Sequence, residues 1–111
     1  MYRYHCQLAD ALDGDTVRVT VDLGFHAFMR IRVRLVGLDA ANIHGPGGPE
    51  ARQFVIDWFA AHPDAVLAST KTGKYGRWLG TFSAGDESLN DALIANGHAV
   101  AWDGTGPRPA G

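Results

Sequence analysis

The chain has a single cysteine, Cys6, so no internal disulfide can form. Five histidines accompany it, and none stands at a zinc-ligand spacing to Cys6, which argues against structural zinc. No apolar run reaches the length of about eighteen residues that a membrane-spanning helix requires. A basic stretch followed by an apolar one is also missing, so no signal peptide is expected and the protein reads as cytoplasmic. Positive charge is not in excess either: ten Lys and Arg stand against twelve Asp and Glu, for a net charge of -2. Coating nucleic acid through bulk charge needs many clustered cations, so any phosphate binding here must be local. No internal repeat is visible.

What is present suits one small domain. At 111 residues, with 46% hydrophobic and 20% charged content, the chain is able to bury roughly two-thirds of its unfolded surface. Residues 1–12 alternate, with Tyr2, Tyr4, Cys6 and Leu8 on one side, as in a half-buried strand. Asp13-Gly14 is a turn dipeptide, and beyond it Val17, Val19, Val21 and Leu23 are expected inward, which makes a hairpin. A third strand over 27–38 places Met29, Ile31, Val33 and Leu35 on one face and Arg30, Arg32 and Arg34 on the other.

The Gly- and Pro-rich segment 42–48 reads as a loop. Pro49 and Glu50 suit a first helical turn, and Ala51, Phe54, Val55, Trp58 and Phe59 then recur at helical spacing up to His62. Residues 65–70 and 77–83 read as two further strands separated by an exposed loop. Ser88 with Asp91 opens a short second helix that Gly97 closes. The predicted fold class is mainly β with α (α+β): a five-stranded OB-fold barrel with two helices, occupying residues 1–102 and followed by a flexible tail over 103–111.

Three blocks carry the chemistry: Asp13-Gly14-Asp15-Thr16-Val17, Arg34-Leu35-Val36-Gly37-Leu38-Asp39 and Lys74-Tyr75-Gly76-Arg77. Singly, each has a plain structural reading as a turn, a solvated basic strand or a surface loop. Together and in this order they resemble the staphylococcal nuclease (thermonuclease-like) family. The resemblance runs from about residue 8 to about residue 102 and implies a calcium-dependent nuclease on an OB barrel. It assigns Asp15 and Asp39 to calcium, an ion that prefers oxygen donors. It assigns Arg34 and Arg77 to the scissile phosphate, where guanidinium groups meet oxygens bidentately. Lys74 and Tyr75 match residues that hold a terminal phosphate of the bound strand.

The match departs at one chemically decisive place. Where the family has the glutamate that activates water, this chain has Asn42. An amide takes no proton at neutral pH, so Asn42 is left to orient the water. His44, two residues on, is the candidate substitute base, while Glu50 belongs to the helix start and is expected to face away. Trp102 reads as a core anchor, with base stacking as its functional alternative. The expectation is therefore a monomeric hydrolase of phosphodiester bonds in single-stranded DNA or RNA, slowed by Asn42 and with no membrane association. The alternative is a non-catalytic OB-fold module that binds nucleic acid or protein.

Overall fold

The computed structural model describes residues 2–72, 78–107 and 109. In chain order the elements are β1 (Tyr2–Ala11), β2 (Thr16–Asp22), β3 (Phe28–Leu35), β4 (Leu38–Ala40), α1 (Gly48–Ala61), β5 (Val66–Thr72), β6 (Trp78–Ala84), β7 (Glu87–Ser88), α2 (Leu89–Ala95) and β8 (Ala99–Ala101). The strands β3, β2, β1, β5 and β6 are antiparallel neighbours in that order, and β3 pairs in parallel with β6 to close the ring. This is a five-stranded barrel with two helices, mainly β with α, as the OB-fold expectation has it.

Alternation fills the barrel. Val17, Val19 and Val21 of β2 face Val33 and Leu35 of β3, Leu67 of β5 and Phe82 of β6 in one apolar core. A bulge in β1 between Leu8 and Asp10 shifts the pleat by one residue, which is why Cys6 and Ala11, of opposite parity, are both buried. Helix α1 lays Val55, Trp58 and Phe59 across the core, Phe59 meeting Phe82 edge-on at 5.1 Å. Arg52 on the same helix donates from Nε to the carbonyl of Ala11 at 2.7 Å and ties α1 to the end of β1.

Several expectations are corrected. Leu23 lies past the end of β2 and Met29 near the start of β3, and both are exposed. The β2–β3 hairpin outruns the barrel core, so alternation continues where nothing remains to cover its apolar face. The expected strand over 27–38 is two strands, because Gly37 adopts φ +83 and turns the chain between β3 and β4. The fourth expected strand runs on to Thr72, and β4 gains a partner that alternation did not reveal, β8, with Asp39 opposite Val100.

The second helix begins as its capping pattern predicts, Ser88 Oγ accepting from the Asp91 amide at 3.2 Å. Its buried Asn90 is the polar link of the fold. The Asn90 amide donates to the carbonyls of Val36 at 2.9 Å and Gly80 at 3.3 Å, and its oxygen accepts from the Phe82 amide at 3.3 Å. It thereby holds the turn between β3 and β4 against β6. Asn90→Leu, which leaves two carbonyls and one N–H without this partner, is expected to cost about 3 kcal/mol of unfolding free energy. Urea denaturation checks this, and a loss under about 1 kcal/mol would mean that those groups find other partners.

Candidate active site

The turn between β1 and β2 is built to bury a charge. Asp13 Oδ1 accepts from the Asp15 amide at 3.1 Å, an Asx-type closure that points the Asp15 side chain inward. A Cβ on Gly14 would come within 2.7 Å of Ala51 Cβ and 2.9 Å of Ala40 Cβ, so only glycine lets the turn lie between α1 and β4. Asp15 is fully buried, and its carboxylate accepts from Thr16 Oγ1 at 3.2 Å and from the Ala40 amide at 3.1 Å. Burial, and then the hydrogen bond and repulsion from Asp15, push the Asp13 carboxyl up to about 6.

Barrel closure brings in the second block. Arg34 stands near the end of β3, opposite Thr16, and its guanidinium reaches Asp15 Oδ2 at 3.0 Å and Asp39 Oδ1 at 3.5 Å. The first is a strong charge-assisted contact and the second a looser one. Both carboxylates are shielded from solvent, and the Arg34 side chain is 15% exposed. Its guanidinium carbon also lies 5.7 Å from the centre of the Trp102 ring, within cation–π range. A cleft of about 100 Å³ opens beside these groups, lined by Arg34, Gly37, Leu79, Trp102 and Gly104 among others.

Past β4 the chain leaves the barrel through the loop 41–47, which carries Asn42 and His44, both exposed. The side-chain oxygen of Asn42 accepts from the His44 amide at 3.0 Å, and its backbone carbonyl accepts from Gly45 at 2.8 Å. Any side chain at Gly48 would collide with that carbonyl, so the start of α1 rests directly on the Asn42 backbone. Glu50 is exposed in the first turn of α1.

The structure thus gathers Asp15, Arg34 and Asp39 into one cluster and sets Asn42 and His44 on the adjoining loop. Lys74, Tyr75 and Arg77 lie outside the described residues. Trp102 is not part of the core: half-buried, it packs on Arg34 and donates from Nε1 to the Thr105 carbonyl at 2.8 Å. Sequence reading missed that partnership, since an isolated aromatic before a Gly- and Pro-rich segment has no periodicity to place it. It also took Asp13 only as a turn residue, although the Asp-Gly-Asp spacing that lets one carboxylate bind the next but one amide was there to be read.

The profile of the family described as staphylococcal nuclease homologue matches residues 32–109. The chain belongs to that family. The match starts within β3, later than the sequence resemblance, and runs past Trp102. Asp15 falls outside it, and the barrel rather than the match brings Asp15 beside Arg34 and Asp39. A comparison with curated proteins returned no match. For a staphylococcal nuclease homologue the relationship is to nucleases, proteins that act on nucleic acid, and among the described residues no helix is long and apolar enough to cross a membrane.

The donor chemistry of the cluster fits a hard divalent cation. Asp15 and Asp39, from distant parts of the sequence, converge on one positive group, the Arg34 guanidinium. Both offer only carboxylate oxygen, the donor calcium and magnesium prefer. No group of three or more His, Cys, Asp or Glu gathers among the described residues, so the remainder of such a shell would fall to water, backbone oxygen or phosphate.

Proposed function

We propose that this staphylococcal nuclease homologue is a calcium-dependent phosphodiesterase that hydrolyses single-stranded DNA or RNA at a rate limited by Asn42. The observation that carries the reading is the meeting of Asp15, Asp39 and Arg34 in one shielded cluster at the barrel mouth. Asp15 and Asp39 would hold calcium, which when bound supplies charge neutralisation at the phosphate.

The remaining work falls to the chain. Arg34 has five N–H donors and commits two of its nitrogens to the carboxylates, leaving further donors for phosphate oxygens. Charge gathers on those oxygens in the transition state, where a pre-set guanidinium stabilises it most. Arg77 is proposed as the second guanidinium and Lys74 and Tyr75 as holders of the neighbouring phosphate, on their sequence positions alone. In the reaction a water oxygen bonds to phosphorus, the ester P–O bond breaks, the water proton leaves and the departing alkoxide acquires one. Asn42 orients the water without taking its proton; His44 on the same loop is the group with a suitable imidazole.

The test is cleavage of end-labelled single-stranded DNA with calcium and with chelator, beside a thermal melt under both conditions. Calcium at a hundred times its dissociation constant should stabilise the protein by about 2.7 kcal/mol. Asp39→Asn should show neither calcium-dependent cleavage nor the calcium-dependent shift. Equal absence of cleavage in both tubes, with binding retained, would leave the non-catalytic module in its place.

A further inference from the structure

We propose that the outer face of β3 is a docking track along which an extended single strand of nucleic acid runs away from Arg34, its phosphates on Arg32 and Arg30 and a base on Phe28. The inference rests on the phosphodiesterase reading for what Arg34 binds, and on independent geometry for the rest. Phe28, Arg30, Arg32 and Arg34 alternate with Met29, Ile31, Val33 and Leu35, of which Val33 and Leu35 are buried in the core, and so share the opposite face. Successive members of that row are two residues, about 6.6 Å, apart along the strand. Such a repeat is close to one nucleotide of an extended backbone, so each guanidinium is placed to meet one phosphate.

The charges along the row have the matching order. On β2, Arg18 stands opposite Arg32 and is already paired with Asp10 at 3.2 Å, and Thr20 stands opposite Arg30. Arg30 and Arg32 are exposed, and among the described residues neither has a carboxylate partner. Arg34 is already committed to Asp15 and Asp39, so the uncompensated charge of the row is that of Arg30 and Arg32, a local positive patch on a chain whose net charge is -2. That is the local phosphate binding which the overall charge demands. At the far end the sign reverses: Asp22 stands opposite Phe28. A phosphate is disfavoured there and an uncharged base is not.

Phe28 is 62% exposed, and Phe25 beyond it is fully exposed on the hairpin tip. Phe25 and His26 hold left-handed backbone at φ 56 and 59, positions that glycine or asparagine ordinarily fills. A strained tip that presents an aromatic ring to solvent suits a stacking platform. Aromatics beside a guanidinium row are the two components by which proteins hold single strands without reading sequence.

The experiment measures binding of a labelled twelve-nucleotide single strand in chelator, where no cleavage is needed, across a range of salt. For Arg30→Gln/Arg32→Gln, affinity should fall about tenfold, and the slope of log affinity against log salt should shrink by about 1.4, the value for two phosphate contacts on a single strand. Phe28→Ala should weaken binding by roughly 5- to 150-fold. All three positions are exposed, so melting temperatures should match the wild type and exclude misfolding as the cause. Wild-type affinity and slope in the double variant would overturn the track, as would a wild-type protein that does not bind the strand. Cleavage with calcium separates the two readings. A wild type that cuts while the double variant binds and cuts like it leaves the phosphodiesterase reading standing without the track. A wild type that binds through Arg30 and Arg32 but never cuts leaves the track without the phosphodiesterase.

Discussion

Arg34→Met is expected to lower the unfolding free energy by about 3–5 kcal/mol in chelator, because it strips the guanidinium from two buried carboxylates. Asp15 and Asp39 are shielded by the barrel and α1, so neither is able to recover its hydration when the partner goes. Methionine fills the stem of the cavity and leaves charge as the principal loss. The same variant should lose at least about a hundredfold in cleavage rate, the usual cost of removing a donor aimed at developing charge. Arg34→Lys separates the two effects: an ammonium restores positive charge but not the fork that spans two carboxylates, so it should regain stability more fully than activity. Denaturation in chelator and then in calcium completes the measurement. A cation shared by Asp15 and Asp39 should stabilise the methionine variant more than the wild type, since it relieves a repulsion that Arg34 otherwise screens. A methionine variant as stable as the wild type in chelator would show that the two carboxylates are not held as a charged pair by Arg34.

Much of this arrangement is legible in the residues themselves, and the parts that are not share a cause. Val17, Val19, Val21, Val33 and Leu35 alternate because a pleated strand with one buried face must, so their burial follows from local pattern. Alternation does not say where along a strand the core stops, which is why Leu23 and Met29 keep the inward parity and are nevertheless exposed on a protruding hairpin. Gly37 shows the complementary limit. Its left-handed backbone interrupts an apolar run that looks continuous, and the break is what lets Asp39 reach Arg34 five residues back.

The site has the same division. Asp15, Arg34 and Asp39 are recognisable by motif, but their meeting depends on closure: β3 must pair with β2 to bring Arg34 opposite Thr16, and the Ala40 amide must reach Asp15 Oδ2. These are contacts between segments far apart in the chain, which no local period encodes. Asn90 is the clearest case. In the sequence it is one polar residue beside Leu89 and Leu93 in a short helix, yet in the barrel it holds three backbone groups from two other segments.

Asn42→Glu is expected to raise calcium-dependent cleavage by at least about tenfold, because a positioned general base is typically worth roughly two to four orders of magnitude. The backbone at this position is fixed independently of the side chain, through the bond from Gly45 and the close approach of Gly48 to the Asn42 carbonyl. The side chain's own contribution is one bond from the His44 amide, worth about 1 kcal/mol, and a glutamate forgoes it with little effect on the loop. If the new carboxylate swings toward Asp15 and Asp39, as the catalytic reading requires, its repulsion should make the variant less stable in chelator and let it recover more stability on adding calcium. His44→Ala in both backgrounds identifies the base in use. If His44 takes the proton in the wild type, its removal slows cleavage there and has little effect in the Asn42→Glu background, so the two substitutions are non-additive. If both backgrounds lose nothing, the proton goes directly to solvent and Asn42 alone limits the rate. An Asn42→Glu protein that folds, responds to calcium and cuts no faster would mean that the loop holds this position where a carboxylate cannot reach the attacking water.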